Sequence, residues 1–97
     1  MEGHASISSD VLARYAGDAA REVAGVDGLV DGTLPGRRAV RVAGENGTVR
    51  LELHLRVDWG ASIPDVGRAV QARVRDYLDR MADVELAAVD VVVDEVA

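Results

Sequence analysis

From Val49 to Trp59 the chain alternates apolar and polar residues without a break. A β-strand turns successive side chains to opposite sides, so this run predicts a strand with one dry face and one wet face. Val49, Leu51, Leu53, Leu55 and Val57 form the dry set. Arg50, Glu52, His54 and Arg56 form the wet one. The strand is expected over Thr48–Trp59, with Gly60 as its stop. Immediately afterwards the period changes. Ile63, Val66, Val70, Val74, Tyr77, Leu78 and Met81 fall on one helical stripe, and Arg68, Arg73, Arg75, Asp76, Asp79 and Arg80 lie mostly outside it. Ser62 is placed to cap this helix, with Asp65 three residues on as its reciprocal partner. Pro64 is tolerated because a first turn needs no N–H bonds.

The flanking segments read less sharply. A first helix is expected from Ser8 or Ser9 to Val23, with Val11, Leu12, Tyr15, Ala19 and Val23 on one stripe and Gly25 as its C-terminal stop. Residues 24–38 are rich in Gly and Pro; within them Val26, Leu29 and Val30 make either a short apolar tuck or a strand fragment. A strand near Ala39–Ala43 places Val40 and Val42 on one side and Arg41 on the other. Gly44-Glu45-Asn46-Gly47 is a hairpin turn, because Asn-Gly supplies the positive φ angles of tight turns. A last strand, about Glu85 to Glu95, carries Val89, Val91 and Val93 inward and Asp90 and Asp94 outward. Residues 1–6 read as a flexible start.

The order is helix, strand, strand, helix, strand. A hairpin followed by a helical crossover makes the last strand parallel to its neighbour. The expected fold is therefore α+β: a two-layer sandwich, as one domain over residues 1–97, with a three-stranded mixed sheet and both helices on one face. The other face would display Arg41, Arg50, Glu52, His54, Arg56, Asp90, Val92 and Asp94. The Thr48–Trp59 strand is longer than its hairpin partner, so part of its edge is expected to be unpaired.

Composition narrows the function classes. Ninety-seven residues support one core. That core must be aliphatic, since there is no Phe and the aromatics are Tyr15, Trp59 and Tyr77. With no Cys, thiolate zinc sites, thiol nucleophiles and disulfides are excluded. No apolar run approaches the roughly 18–20 residues of a membrane span, and Met1-Glu2-Gly3-His4 is neither basic nor apolar, so a cytoplasmic protein without direct membrane insertion is expected. The net charge of −6 argues against general nucleic-acid binding. Charge is unevenly spread: Arg37, Arg38, Arg41, Arg50 and Arg56 outnumber the acids of residues 37–56, whereas residues 76–97 hold seven acids against Arg80 alone. Such a dipolar surface can align like subunits or meet a charged partner.

Little chemistry is on offer. His54 stands on the wet face beside Glu52 and Arg56 and reads as a solvated side chain; a metal would need three or four converging ligands. Ser8, Ser9 and Ser62 sit in no nucleophile elbow and read as caps. Asp76, Asp79 and Asp83 read as a solvated acidic edge. Gly25-Val26-Asp27-Gly28 matches the Gly-x-x-Gly loop of KH domains, but places an Asp where phosphate approaches. No catalytic, cofactor-binding or metal-binding residue is assigned.

The ordered set of segments resembles a known family. Ile7-Ser8-Ser9-Asp10-Val11-Leu12 with Ala16-Gly17-Asp18-Ala19-Ala20-Arg21-Glu22-Val23-Ala24-Gly25-Val26 is similar to the opening of the alkaline shock protein family of Gram-positive bacteria, which includes general-stress proteins. Val49–Gly60 followed by Ile63–Tyr77 is similar to its second block, and Val84–Val96 to its Val-rich close. The resemblance implies a non-catalytic cytoplasmic protein of the envelope stress response, without cofactor. It would act as an adaptor or scaffold, self-associating or reaching the membrane through a small membrane-anchored partner. Arg41, Arg50, Glu52, His54 and Arg56 are then the candidate interaction surface. The alternative is a small binding module, for nucleic acid in the KH manner or for a ligand of lipid metabolism.

Overall fold

The computed structural model describes residues 8–31, 38–45, 48–82 and 84–97. The segment expected to be a flexible start, Asn46-Gly47 of the expected turn, Pro35, Gly36 and Asp83 lie outside them. The elements run α1 (Ser9–Arg21), β1 (Val26–Leu29), β2 (Val40–Glu45), β3 (Thr48–Val57), α2 (Ile63–Met81) and β4 (Glu85–Val96).

Each helix starts where a serine can satisfy a free N–H. The Ser8 hydroxyl accepts from the Val11 N–H at 3.2 Å, and Asp10 complements the positive end of α1. Ser62 does the same for the Asp65 N–H at 3.4 Å. The expected reciprocal half of that cap does not form: the Asp65 carboxylate pairs instead with Arg68. Asp is one methylene shorter than the Glu usual in this motif, and the Arg one turn on is within easier reach. Helix α1 ends at Arg21, earlier than Val23. Gly25 is not its cap but the turn into β1, at φ +96°. The Gly25 carbonyl accepts from the Asp58 N–H at 2.8 Å, fixing this turn to the end of β3.

The sheet has four strands, not three. Strand β3 is central. β4 runs parallel along one side of it, Leu51 opposite Val89 and Leu53 opposite Val91. β2 pairs antiparallel along the other side, from Val40 opposite Leu53 to Glu45 opposite Thr48. The apolar tuck of Val26 and Leu29 is a strand: β1 continues that same side, with Leu29 opposite Leu55 and Val26 opposite Val57. Strands β1 and β2 therefore act in tandem as one interrupted neighbour. The interruption falls at His54, whose N–H donates to Ala39 at 2.8 Å and whose carbonyl accepts from Val30 at 2.9 Å. The expected unpaired edge of β3 is thus absent, because the second short strand fills what the hairpin leaves open. Strand β3 also stops at Val57, short of Trp59, where the chain turns through Asp58 and Gly60.

Both helices pack against each other and against the dry face of β3. Val49, Leu51, Leu53, Leu55 and Val57 are buried together with Val66, Val70, Val74 and Leu78, as the two periods require. Helix α1 approaches closely because its inner face is small: Ala16, Ala19 and Ala20 are fully buried, and a Cβ on Gly17 would sit 3.1 Å from Leu29 Cδ1. The stripe of α2 frays at its ends, where Ile63 and Met81 are exposed.

Leu53 is wholly buried at the centre of this core, so Leu53→Ala should cost about 2–5 kcal/mol in urea unfolding. Two glycines should respond in opposite directions in the same measurement. Gly25→Ala forces a left-handed residue and puts its Cβ 2.7 Å from Val66 Cγ2, a loss of at least about 1–2 kcal/mol. Gly67→Ala lies inside α2 with nothing within 4 Å of the new Cβ, and should gain roughly 0.5–1 kcal/mol.

Candidate functional site

With both helices on one side, the even-numbered residues of β3 face outward, and none of the described elements lies over them. Each rung spans three rows of the sheet. Arg50 lies between Ala43 and Ala88, Glu52 between Arg41 and Asp90, and His54 beside Val92. Arg56 lies between Gly28 and Glu95. All five residues of the candidate surface, Arg41, Arg50, Glu52, His54 and Arg56, stand on this open face.

Four of them take part in two groups of ion pairs, one around Glu52 and His54 and one around Arg56. Arg41 lies 3.8 Å from Glu52. The Glu52 carboxylate meets His54 Nε2 at 2.8 Å, and His54 Nδ1 meets Asp94 at 2.7 Å. Arg56 donates through Nε to Asp27 at 2.6 Å and through Nη1 to Glu95 at 3.3 Å, tying β1, β3 and β4 together. Arg50 stands apart: between two alanines it is exposed and makes no ion pair among the described residues.

His54 is not the solvated side chain expected. Its side chain is only 19% exposed, clamped edge to edge between two carboxylates. Both ring nitrogens face carboxylate oxygens, and only the imidazolium can donate to both. The Glu52 hydrogen bond is the main cause raising its pKa above the ordinary 6.5; burial opposes it, and Asp94 adds to the rise. Glu52 and Asp94 lie at opposite sides of the ring and so do not converge on a common point. Among the described residues no group of three or more His, Cys, Asp or Glu side chains is placed to hold a metal ion.

Elsewhere, Asp76 pairs with Arg80 along the helix flank. The Gly25–Gly28 segment makes a turn and the first residues of β1, and Asp27 is bound to Arg56, so no open Gly-x-x-Gly loop is presented. A cleft between α1 and the start of β2 is lined by Arg14, Arg21, Asp31 and Arg38. Two of those guanidinium groups are already paired, Arg21 with Asp18 and Arg38 with Asp10.

The partners of the network escaped the sequence reading. Asp27 and Glu95 are remote from Arg56 in the chain, and only the register of β1 and β4 brings them to it. Trp59 also escaped. It ends the alternating run and looks like a strand residue, yet it is 85% exposed at the turn after β3.

The clamp makes a pH prediction. A raised folded pKa means that His54 stabilises the fold fully below the unfolded value near 6.5, and that this contribution fades as pH rises through the higher folded value. The difference in Tm between wild type and His54→Gln should be largest at mildly acidic pH and shrink under alkaline conditions. An NMR titration of the imidazole should show a midpoint above 6.5. A difference that grows with pH would contradict the clamp.

The comparisons with known proteins follow the same outline. A family model described as the alkaline shock protein 23 family, with a cell envelope-related function, matches residues 1–97. No curated protein matches the chain. Among solved structures, the chain is similar to MamM-CTD 215–293 at a TM-score of 0.69 and 18% identity, over 91% of this chain and 99% of that one. It is also similar to a manganese form of a MamM CTD variant, at 0.68 and 19% identity over 91% and 99% of the two chains. A zinc form of another variant matches at 0.68 and 19% identity, over 91% and 85%. At such identities the likeness speaks to the fold alone.

Proposed function

The chain belongs to the alkaline shock protein family, described by a cell envelope-related function, and on that premise we propose that it is a non-catalytic adaptor or scaffold of cell-envelope homeostasis that docks a protein partner on the open face of its sheet. The observation that carries the reading is that face itself. Among the described residues a whole side of a four-stranded sheet is left without a covering layer, and it carries ordered charge around a few apolar residues such as Val92. Surfaces of this kind serve recognition, since fixed charges steer encounter and reject wrong partners.

The absence of an enzyme role is supported by how the polar groups are used. The serines that begin the helices serve as caps, and His54 is held between two carboxylates, with neither nitrogen free to act as a base. The proposed place of work is the cytoplasmic side of the membrane, reached through a membrane-anchored partner. No helix among the described residues is long and apolar enough to cross a bilayer.

Within the face, Arg50 and Arg41 are the best candidates for contact. Arg50 is exposed and unpaired among the described residues, and Arg41 holds Glu52 only at 3.8 Å. Crosslinking in native lysate followed by affinity recovery tests the reading. Wild type should recover an envelope-associated protein, less of it as salt rises. Arg41→Glu/Arg50→Glu should weaken that recovery by about tenfold, roughly 1.4 kcal/mol, with an unchanged circular dichroism spectrum. Equal recovery by the variant would place the contact elsewhere. Nucleic acid as the principal partner would favour the binding-module alternative.

A further inference from the structure

Strand β4 is the longest in the sheet, and among the described residues only β3 pairs with it. Its outer edge is treated differently along its length. Near its start, two side chains of α2 take backbone carbonyls: Gln71 Nε2 donates to Val89 at 2.9 Å and Arg75 Nη1 to Leu86 at 3.2 Å. Beyond Val89 nothing replaces them. Residues 90–96 make no backbone hydrogen bond besides the ladder to β3 among the described residues.

Some devices that blunt an edge are present and others are not: the ladder to β3 is irregular at Ala87 and at Asp94, and regular over residues 88–93 between them. Residues 85–96 contain no Pro, Lys or Gly. The residues on the helix side, Val89, Val91 and Val93, are all apolar. Val91 and Val93 remain partly exposed, although their neighbours in β3, Leu53 and Leu55, are fully buried. The core is left unfinished along this one edge.

We propose that β4 pairs antiparallel with β4 of a second copy, about a two-fold axis at Val91. A self-pairing of this kind places residue pairs symmetrically about its centre, and charge selects the centre. An axis at Asp90 sets that carboxylate against itself. An axis at Val92 sets Asp90 against Asp94 twice. An axis at Val91 sets Asp90 against Val92, Val89 against Val93 and Asp94 against Ala88. Asp90 and Asp94 then each face an apolar residue, and the regular stretch from Val89 to Val93 pairs with its own copy. The Val89 carbonyl has two lone pairs, so the Gln71 bond can stay. A two-fold axis normal to the sheet keeps both pairs of helices on one side and joins the two open faces into a single surface. The pairing deepens the scaffold half of the reading above and rests on it only for its purpose, because the contact itself is testable on the purified chain without any partner.

Sedimentation equilibrium on the wild type should show a monomer–dimer equilibrium. Val92 lies on the open face at 36% exposure, away from the core, and a circular dichroism spectrum checks that its variants keep the fold. Val92→Lys sets an ammonium opposite Asp90 of the other copy and should tighten the dimer. Val92→Asp sets a carboxylate there and should loosen it, each on the order of tenfold in Kd. A shift of both variants in the same direction, or a wild type that stays monomeric at high concentration, overturns the proposal. The chain has no cysteine, so introduced thiols report the register. Asp90→Cys and Val92→Cys should form a disulfide-linked dimer when mixed and oxidised. Crosslinking of Val92→Cys alone would overturn the Val91 axis. These readouts move independently of partner capture, so failure of the dimer and failure of the docking reading are distinguishable.

Discussion

Everything in this fold depends on the period-two pattern of β3 holding its register. This strand supplies five buried aliphatic side chains to the core and is paired along both sides. Sliding it by one residue would turn Arg50, Glu52, His54 and Arg56 into the helices and expose the leucines. That exchange would bury charge without partners and lose most of the apolar burial, so the register is strongly specified. The outward charged face is the other half of the same constraint. Whatever the protein does with that face, the core has already determined which residues stand there.

The charged face contributes order more than stability. Exposed ion pairs are each worth little, about 0–1 kcal/mol, because solvent screens them and ordering long side chains is costly. What the network does is hold side chains in place. Arg56 is fixed by two carboxylates from different strands, and His54 is held from both sides. A surface whose polar groups are already positioned loses less entropy when a rigid partner meets it. Arg50, between two alanines, is the contrasting case: an exposed charge that makes no ion pair among the described residues.

What the sequence disclosed followed the range of each signal. The core positions of β3 and α2 were legible because each carries several turns of one uninterrupted period. The helix starts were legible because a serine cap acts within three residues. β1 was only half legible: Val26–Leu29 contains Asp27 and Gly28, which disguise a four-residue strand as a loop, and what makes it a strand is pairing with Arg56 and Leu55 far along the chain. The wet face was legible as a set of residues but not as a network, because His54–Asp94 and Arg56–Asp27 are contacts between distant segments. The His54 clamp needed the parallel register of β4, which no local pattern encodes.

The two edges of the sheet differ in a way that bears on assembly. On one side the edge is broken. β1 and β2 are short and meet at His54, to which Val30 and Ala39 bond. An interrupted edge is a poor template for another strand. On the other side β4 is long and β-branched, and its early carbonyls are taken by Gln71 and Arg75 while its later ones are not. Partial cover of this sort confines pairing to one stretch instead of preventing it. The parallel crossover through α2 is what creates the asymmetry. It delivers β4 to the outside of the sheet with its apolar row toward the helices and its carboxylates toward solvent. The edge that remains open therefore has acids on one face only, and a strand approaching it must match apolar residues to them. A second copy of β4, turned about Val91, meets that condition with no change in sequence.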